Sequence, residues 1–324
     1  MRIFKKWSSI LLAALLCGAV LLTGCDSNKD PEQKSSEDVQ QPTEDMPGDP
    51  NDKVDPVGLT YKVNDDGKTC AIGGIGSVTD ADLVIPSKID QYTVTSIADN
   101  AFKDCTNLTS VVIPDGVTGI GDWTFSGCTS LTSITIPDGL TGIGEWAFSG
   151  CTSLASITIP DSVTKIGIYA FQNCKSLKSI TLSDNVTGIG DYAFRGCIGL
   201  TSITLGDSVT YIGWYAFEDC TDLTSITLPD SVTKIGWSAF RGCTDLTSIT
   251  IPHSVTSIGN EAFLGCTTLK TVYYGGTAED WASISIHSSN KPYLTSANIY
   301  YYSETKPTTE GNYWRYVDGV PTKW

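Results

Sequence analysis

Histidine is almost missing from this 324-residue chain, which has only His253 and His287. That removes His-rich metal sites and leaves imidazole catalysis little to work with. Positive charge is scarce as well. Lys and Arg number 21 against 36 Asp and Glu, for a formal net charge of −15. Such a chain repels a phosphate backbone instead of releasing its counterions, so no nucleic-acid partner is expected. The longest apolar run, Ile10 to Leu22, is too short for a comfortable membrane span. The chain has no G-x-x-x-x-G-K-[ST] phosphate loop, no H-E-x-x-H zinc helix and no nucleophile elbow. No catalytic residue, metal or cofactor is therefore expected. The carboxylate pairs Glu218-Asp219 and Glu279-Asp280 are adjacent in sequence, with nothing to suggest that they flank a cleft. A carboxylate-driven carbohydrate-active enzyme remains the remote alternative.

The first stretch reads as an address. Arg2, Lys5 and Lys6 precede the apolar run, and Thr23-Gly24-Cys25 follows it. That order describes a secretory signal. Leu22-Thr23-Gly24-Cys25 resembles a bacterial lipobox. The resemblance implies cleavage before Cys25 and a diacylglycerol on its sulfur, which would hold the chain on a membrane surface. Residues 26–56 carry ten acidic residues, three lysines and five prolines, with no aromatic. They cannot bury enough apolar surface to offset chain entropy, and their like charges extend them. The expected segments are a lipoprotein signal peptide (1–24), then a lipidated cysteine and acidic tether (25–56).

From Ile97 to Leu269 one pattern recurs every 23 residues: I-G-x-x-A-F-x-x-C-x-x-L-x-x-I-x-I-P-D-x-V-x-x. Eight of the nine phenylalanines obey it, from Phe102 to Phe263. A cysteine follows each by three residues, from Cys105 to Cys266. A period in this range means a solenoid whose coils bury their apolar stripes against one another. Ile134 and Ile136 alternate with Ser133 and Thr135, which is strand periodicity. Pro137 ends the strand and Asp138-Gly139 turns the chain. Ile143, Ala147, Phe148 and Cys151 then fall at helix-like, inward-facing spacing. Gly144 marks a tight bend or close backbone approach.

These residues resemble the BspA-type leucine-rich repeat. The flanks match too: Gly58 to Val63 with Cys70 to Ile75 is similar to its N-terminal β-cap, and Val272 to Trp281 to its closing element. The resemblance implies an α/β-type repeat solenoid, with a parallel sheet on one face, short helical segments on the other and β-rich caps. It predicts an N-terminal cap (57–93), eight repeats (94–274), a C-terminal cap (275–303) and an aromatic hairpin tail (304–324). It further implies a cell-surface or secreted bacterial protein, and some such proteins are linked to adhesion.

Four ladders recur along the repeats. The cysteines read as buried free thiols, since nine besides Cys25 in the cleaved chain cannot all pair. Asp115, Asp138, Asp161, Asp184, Asp207 and Asp230 read as turn residues, with calcium as the less favoured alternative. The Ser/Thr pairs of the strands read as sheet filler that lacks the Trp, Tyr and Arg of binding hot spots. The candidate binding stripe is Trp123, Trp146, Tyr169, Tyr192 and Tyr215, with Trp214 and Trp237 beside it. Mutual stacking is the plain reading of these rings, and contact with sugars or a protein is the functional one. Tyr313, Trp314 and Trp324 in the tail are secondary candidates.

The function expected is a non-enzymatic, lipid-anchored surface module, monomeric, exposed at the bacterial cell surface. It would bind a host or neighbouring-cell protein or a glycan. The alternative is a surface spacer or coat without a specific partner.

Overall fold

The computed structural model describes Lys53–Val54 and Gly58–Trp324, all within one compact unit. The signal segment, Cys25 and the tether other than Lys53–Val54 lie outside the described residues. Lys53–Val54 pairs antiparallel with the strand Thr60–Val63, so ordered β structure begins inside the stretch that composition assigns to the tether.

The repeats form a solenoid with two parallel sheets. In one, the S-I-T strands stack in register at 23-residue steps: Ile180 pairs with Ile203, and Ile226 with Ile249 and then Val272. In the other, short strands pair Ile97 with Ile120, and Ile212 with Ile235 and Ile258. Single bridges through Ile143, Ile166 and Ile189 connect those two groups. The core is a set of columns running along the solenoid. Each ladder phenylalanine is fully buried and stacks on the next at 5.3–5.5 Å. Burying one such side chain stabilises the coil by roughly 1.5–3 kcal/mol relative to leaving it exposed.

The side carrying Phe and Cys holds the expected inward residues, but it is built from turns and not from helix. In one coil the amides of Trp146, Phe148 and Gly150 donate to the following coil, at Ile168, Ala170 and Gln172. The amides between them, Ala147, Ser149 and Cys151, donate back three residues within their own coil. A helix would direct every amide inward along its own chain. Here the backbone turns left-handed at Trp146 (φ 59°) and Gly150 (φ 74°), which breaks helical continuity and turns alternate donors outward.

The caps are β-rich. At the N-terminal end, Thr69–Gly74 joins Thr60–Val63 to Tyr92–Ile97, which starts the second sheet. Lys88–Ile89 forms a hairpin with Tyr92–Ile97 within this cap. At the other end, the helices Ala278–Ser283 and Lys291–Leu294 enlarge the last coil. The first opens on a capping box between Thr277 and Asp280, which accounts for that carboxylate. Asn298–Tyr302 extends the S-I-T sheet, and the hairpin of Tyr313–Val317 and Val320–Lys323 closes it. Pro321 and Lys323 on the last strand blunt the exposed edge.

Candidate functional site

Every coil places a residue with positive φ directly before the buried Thr or Ala that precedes Phe. These are Asn100, Trp123, Trp146, Tyr169, Tyr192, Tyr215, Ser238 and Glu261, with φ between 52° and 61°. The left-handed backbone swings the side chain out along the solenoid flank. Five successive rings then stack: Trp123 on Trp146 at 4.4 Å, Trp146 on Tyr169 at 3.8 Å, Tyr169 on Tyr192 at 4.4 Å and Tyr192 on Tyr215 at 4.7 Å. Interplanar angles of 7–17° make this one continuous column. A left-handed non-glycine residue costs about 1–2 kcal/mol. Stacking of about 0.5–1.5 kcal/mol per pair offsets part of that, four pairs being shared among five residues. All five rings are half-buried, so the column shows solvent its edges. Its first face is covered by Lys103, whose Nζ lies 4.9 Å from the Trp123 centroid. Burial pushes the Tyr169 and Tyr192 hydroxyls up from their ordinary value.

Where the column ends, ionic chemistry begins. Ser238 and Glu261 take the next two places. One position after each Phe, Arg195, Glu218 and Arg241 succeed one another. Arg195 Nε lies 2.6 Å from Glu218 Oε2, Arg241 Nε 3.8 Å from Glu218 Oε1, and Arg241 Nη1 3.2 Å from Glu261 Oε2. Desolvation by burial pushes the Glu218 carboxyl up despite its two cationic partners. The signal in the sequence is an alternation of sign at 23-residue spacing that spans only three coils, Arg195, Glu218 and Arg241.

A second, shorter column stands beside the first. Trp214 and Trp237 follow the repeat glycine directly and stack at 5.3 Å with an interplanar angle of 15°. They line a cleft of about 530 Å³ over the second sheet, with Tyr211, Asp191, Lys234 and Asn260. A smaller cleft of about 370 Å³ lies along the same sheet in the earlier coils, beside Asp122, Glu145 and Lys165. The floor is smooth because the repeat glycines touch backbone to backbone. A Cβ on Gly236 would come within 2.7 Å of Gly213.

The other candidates separate clearly. Trp314 is 1% exposed and its Nε1 donates to the Tyr274 carbonyl at 2.8 Å. It packs into the C-terminal cap, so this secondary candidate offers no ring face to solvent. Trp324 is partly open, but Arg315 lies 4.0 Å over its ring and its Nε1 donates to Ser303. Tyr313 is half-buried, its hydroxyl 3.1 Å from that of Thr309. The turn aspartates are all exposed, and Asp184 accepts the Asp207 amide of the next coil at 3.1 Å. The strand hydroxyls are exposed through the middle coils, while Thr250 is buried towards the C-terminal cap.

The cysteine ladder does more than fill space. From Cys128 to Cys266 each thiol donates to the carbonyl of the phenylalanine 26 residues earlier, at 3.0–3.2 Å. All nine described cysteines are free, and burial pushes the thiols of Cys128, Cys197 and Cys266 up to about 12.

The model of the BspA type leucine-rich repeat region matches residues 95–197 and 164–291, in six copies, and so covers more than half of the chain. Among solved structures, one similar protein is a leucine-rich cell surface protein from Faecalibacterium prausnitzii A2-165. It is 24% identical, with 74% of this chain and 99% of that one covered and a TM-score of 0.43. Another is a leucine-rich repeat protein from Bacteroides ovatus ATCC 8483, 28% identical over 75% of this chain and 77% of that one, with a TM-score of 0.40. Comparison with curated proteins gives no match.

Proposed function

The chain belongs to the BspA-type leucine-rich repeat family, and from that premise we propose that it is a lipid-anchored, non-enzymatic module that binds an extracellular protein or glycan at the bacterial cell surface. Proteins of this family are cell-surface proteins. Among the described residues no helix is long and apolar enough to cross a membrane. Attachment in this reading is the task of Cys25, through the lipobox-like Leu22-Thr23-Gly24-Cys25, with the acidic tether holding the solenoid off the surface.

The observation that carries the binding role is that a coil closes without a ring at this position. Ser238 and Glu261 hold the same left-handed backbone, φ 52° and 54°, without an aromatic side chain. Coils therefore close without a ring there, yet five successive coils supply one. Exposed aromatic surface is costly to keep in water and suits a contact patch. A spacer role is the second reading, and the mutual stacking of those rings is what favours it.

Purified protein carrying Cys25→Ser should be tested against arrays of host-matrix proteins and glycans. Saturable binding to a restricted set supports the module. Uniform absence of binding supports the spacer. Incorporation of labelled lipid into the wild-type chain, lost in the Ser variant, tests the anchor.

A further inference from the structure

The two aromatic columns differ in how they end. In the long column Lys103 covers the first ring. In the short column the C-terminal end is closed, because Trp237 packs onto bare Gly259, and a Cβ there would stand 2.6 Å from Trp237 Cδ1. The other end is open. One coil before Trp214, the equivalent position holds the short side chain of Asp191. Its Oδ1 accepts the Trp214 amide at 2.7 Å, which fixes the carboxylate at the foot of the ring. Among the described residues, neither an aromatic ring nor a cation covers the outer face of Trp214, which is 46% exposed. The column therefore continues into an empty step of about one coil spacing, roughly 4.8 Å.

The surroundings of that step are those of a binding cleft. Tyr211, equally exposed, lies across bare Gly188. It lines the same cleft as Trp214, with Lys234 and Asn260. Asp191 and Lys234 balance in charge, while the whole chain is strongly acidic. A polyanion would be repelled by the chain and a bulky aliphatic ligand would leave these polar groups without partners. A pyranose ring meets both requirements. The axial C–H face of one ring lies on an indole with its hydroxyls beside the Asp191 carboxylate, and further rings of the chain meet Lys234 and Asn260, one and two coils past Trp214. The volume falls in the range of small-ligand clefts.

We propose that the Tyr211–Trp214–Trp237 cleft binds a segment of a neutral saccharide chain, one sugar ring stacking on the open face of Trp214 beside the Asp191 carboxylate. This inference deepens the surface-binding reading and rests on it. It assigns the sugar to the short column and leaves the long column out of that contact.

The test is titration of the full chain with neutral oligosaccharides (maltotriose, cellotriose, mannotriose, chitotriose), followed by tryptophan fluorescence and saturation-transfer NMR, with heparin as the anionic comparison. At least one neutral oligosaccharide should bind at micromolar to millimolar concentration. Trp214→Ala should weaken it at least tenfold and Tyr211→Ala severalfold, while Val84→Ala, at an exposed apolar side chain of the first coil, leaves it unchanged. Trp214→Phe, which keeps a ring, should retain part of the affinity and guards against a folding defect. Binding unchanged in Trp214→Ala, or binding of heparin alone, overturns the proposal. If no oligosaccharide binds but the protein array gives a saturable partner, the saccharide site is wrong and the binding module stands. If neither binds, both fall.

Discussion

The side-chain oxygen of Asn173 fills the space that a side chain on Gly196, one coil later, would need. The same relationship joins Asp104 to Gly127 and Asp219 to Gly242. These positions all have positive φ, and the column reads Asp104, Gly127, Gly150, Asn173, Gly196, Asp219, Gly242 and Gly265. Only Gly, Asn and Asp appear in it, the residues that tolerate left-handed backbone. An Asn or Asp in one coil is followed by Gly in the next, since its side chain lies across the neighbour.

Gly196→Ala should therefore cost about 1–3 kcal/mol, from the left-handed conformation and the collision together. Asn173→Gly in the same chain should recover the collision part. Chemical denaturation of the single and double variants measures both.

The phenylalanine column predicts a position effect. Phe171→Ala leaves a cavity in the middle of the solenoid and should cost about 3–5 kcal/mol. Because each coil holds its neighbours, the loss should broaden or split the unfolding transition. Phe263→Ala, nearer the C-terminal cap, should leave the preceding coils cooperative. Calorimetry of the two variants checks this.

The thiols predict an alkaline limit. Cys105 is only half-buried and its thiol is pushed up to about 11, against about 12 for Cys128, Cys197 and Cys266. The folded chain keeps protons that the unfolded chain releases near the ordinary value of 9. The stability they contribute is complete below pH 9 and is lost as pH rises towards 12. The slope is about 1.4 kcal/mol per pH unit for each thiol once the unfolded chain ionises. Stability measured from pH 8 to 11 should fall steeply, and less steeply with Cys151, Cys174 and Cys197 replaced by Ala. In the native protein at pH 8, an alkylating reagent should label Cys105 first among the ladder cysteines.

Period, strands and inward columns were legible in the sequence because each is a one-coil feature repeated at fixed spacing. The turn chemistry was not. Ala147, Phe148 and Cys151 have the spacing of a helix face, and only the alternation of donors between coils distinguishes the two, a contact 22 residues distant. The left-handed state of Trp146 and Tyr169 runs against the preference of those residues, so local propensity gives no hint of it. The thiol-to-carbonyl bonds span 26 residues and leave no mark beyond conservation of size along the ladder. For the site, the stripe residues were visible as a period of rings. The open step beside Trp214 was not, because it depends on Asp191 being small and on Gly188 and Gly259 being bare, three facts spread over two coils.

The most direct test of the account measures folding and binding together in the triple variant Trp123→Ala, Trp146→Ala, Tyr169→Ala. Three stacked pairs are lost, about 2–5 kcal/mol in all, while the phenylalanine and isoleucine columns remain intact. Tm should fall, the circular dichroism spectrum at 25 °C should stay unchanged, and binding to the protein partner found on the arrays should be lost. A folded triple variant that binds that partner as the wild type does would contradict the account.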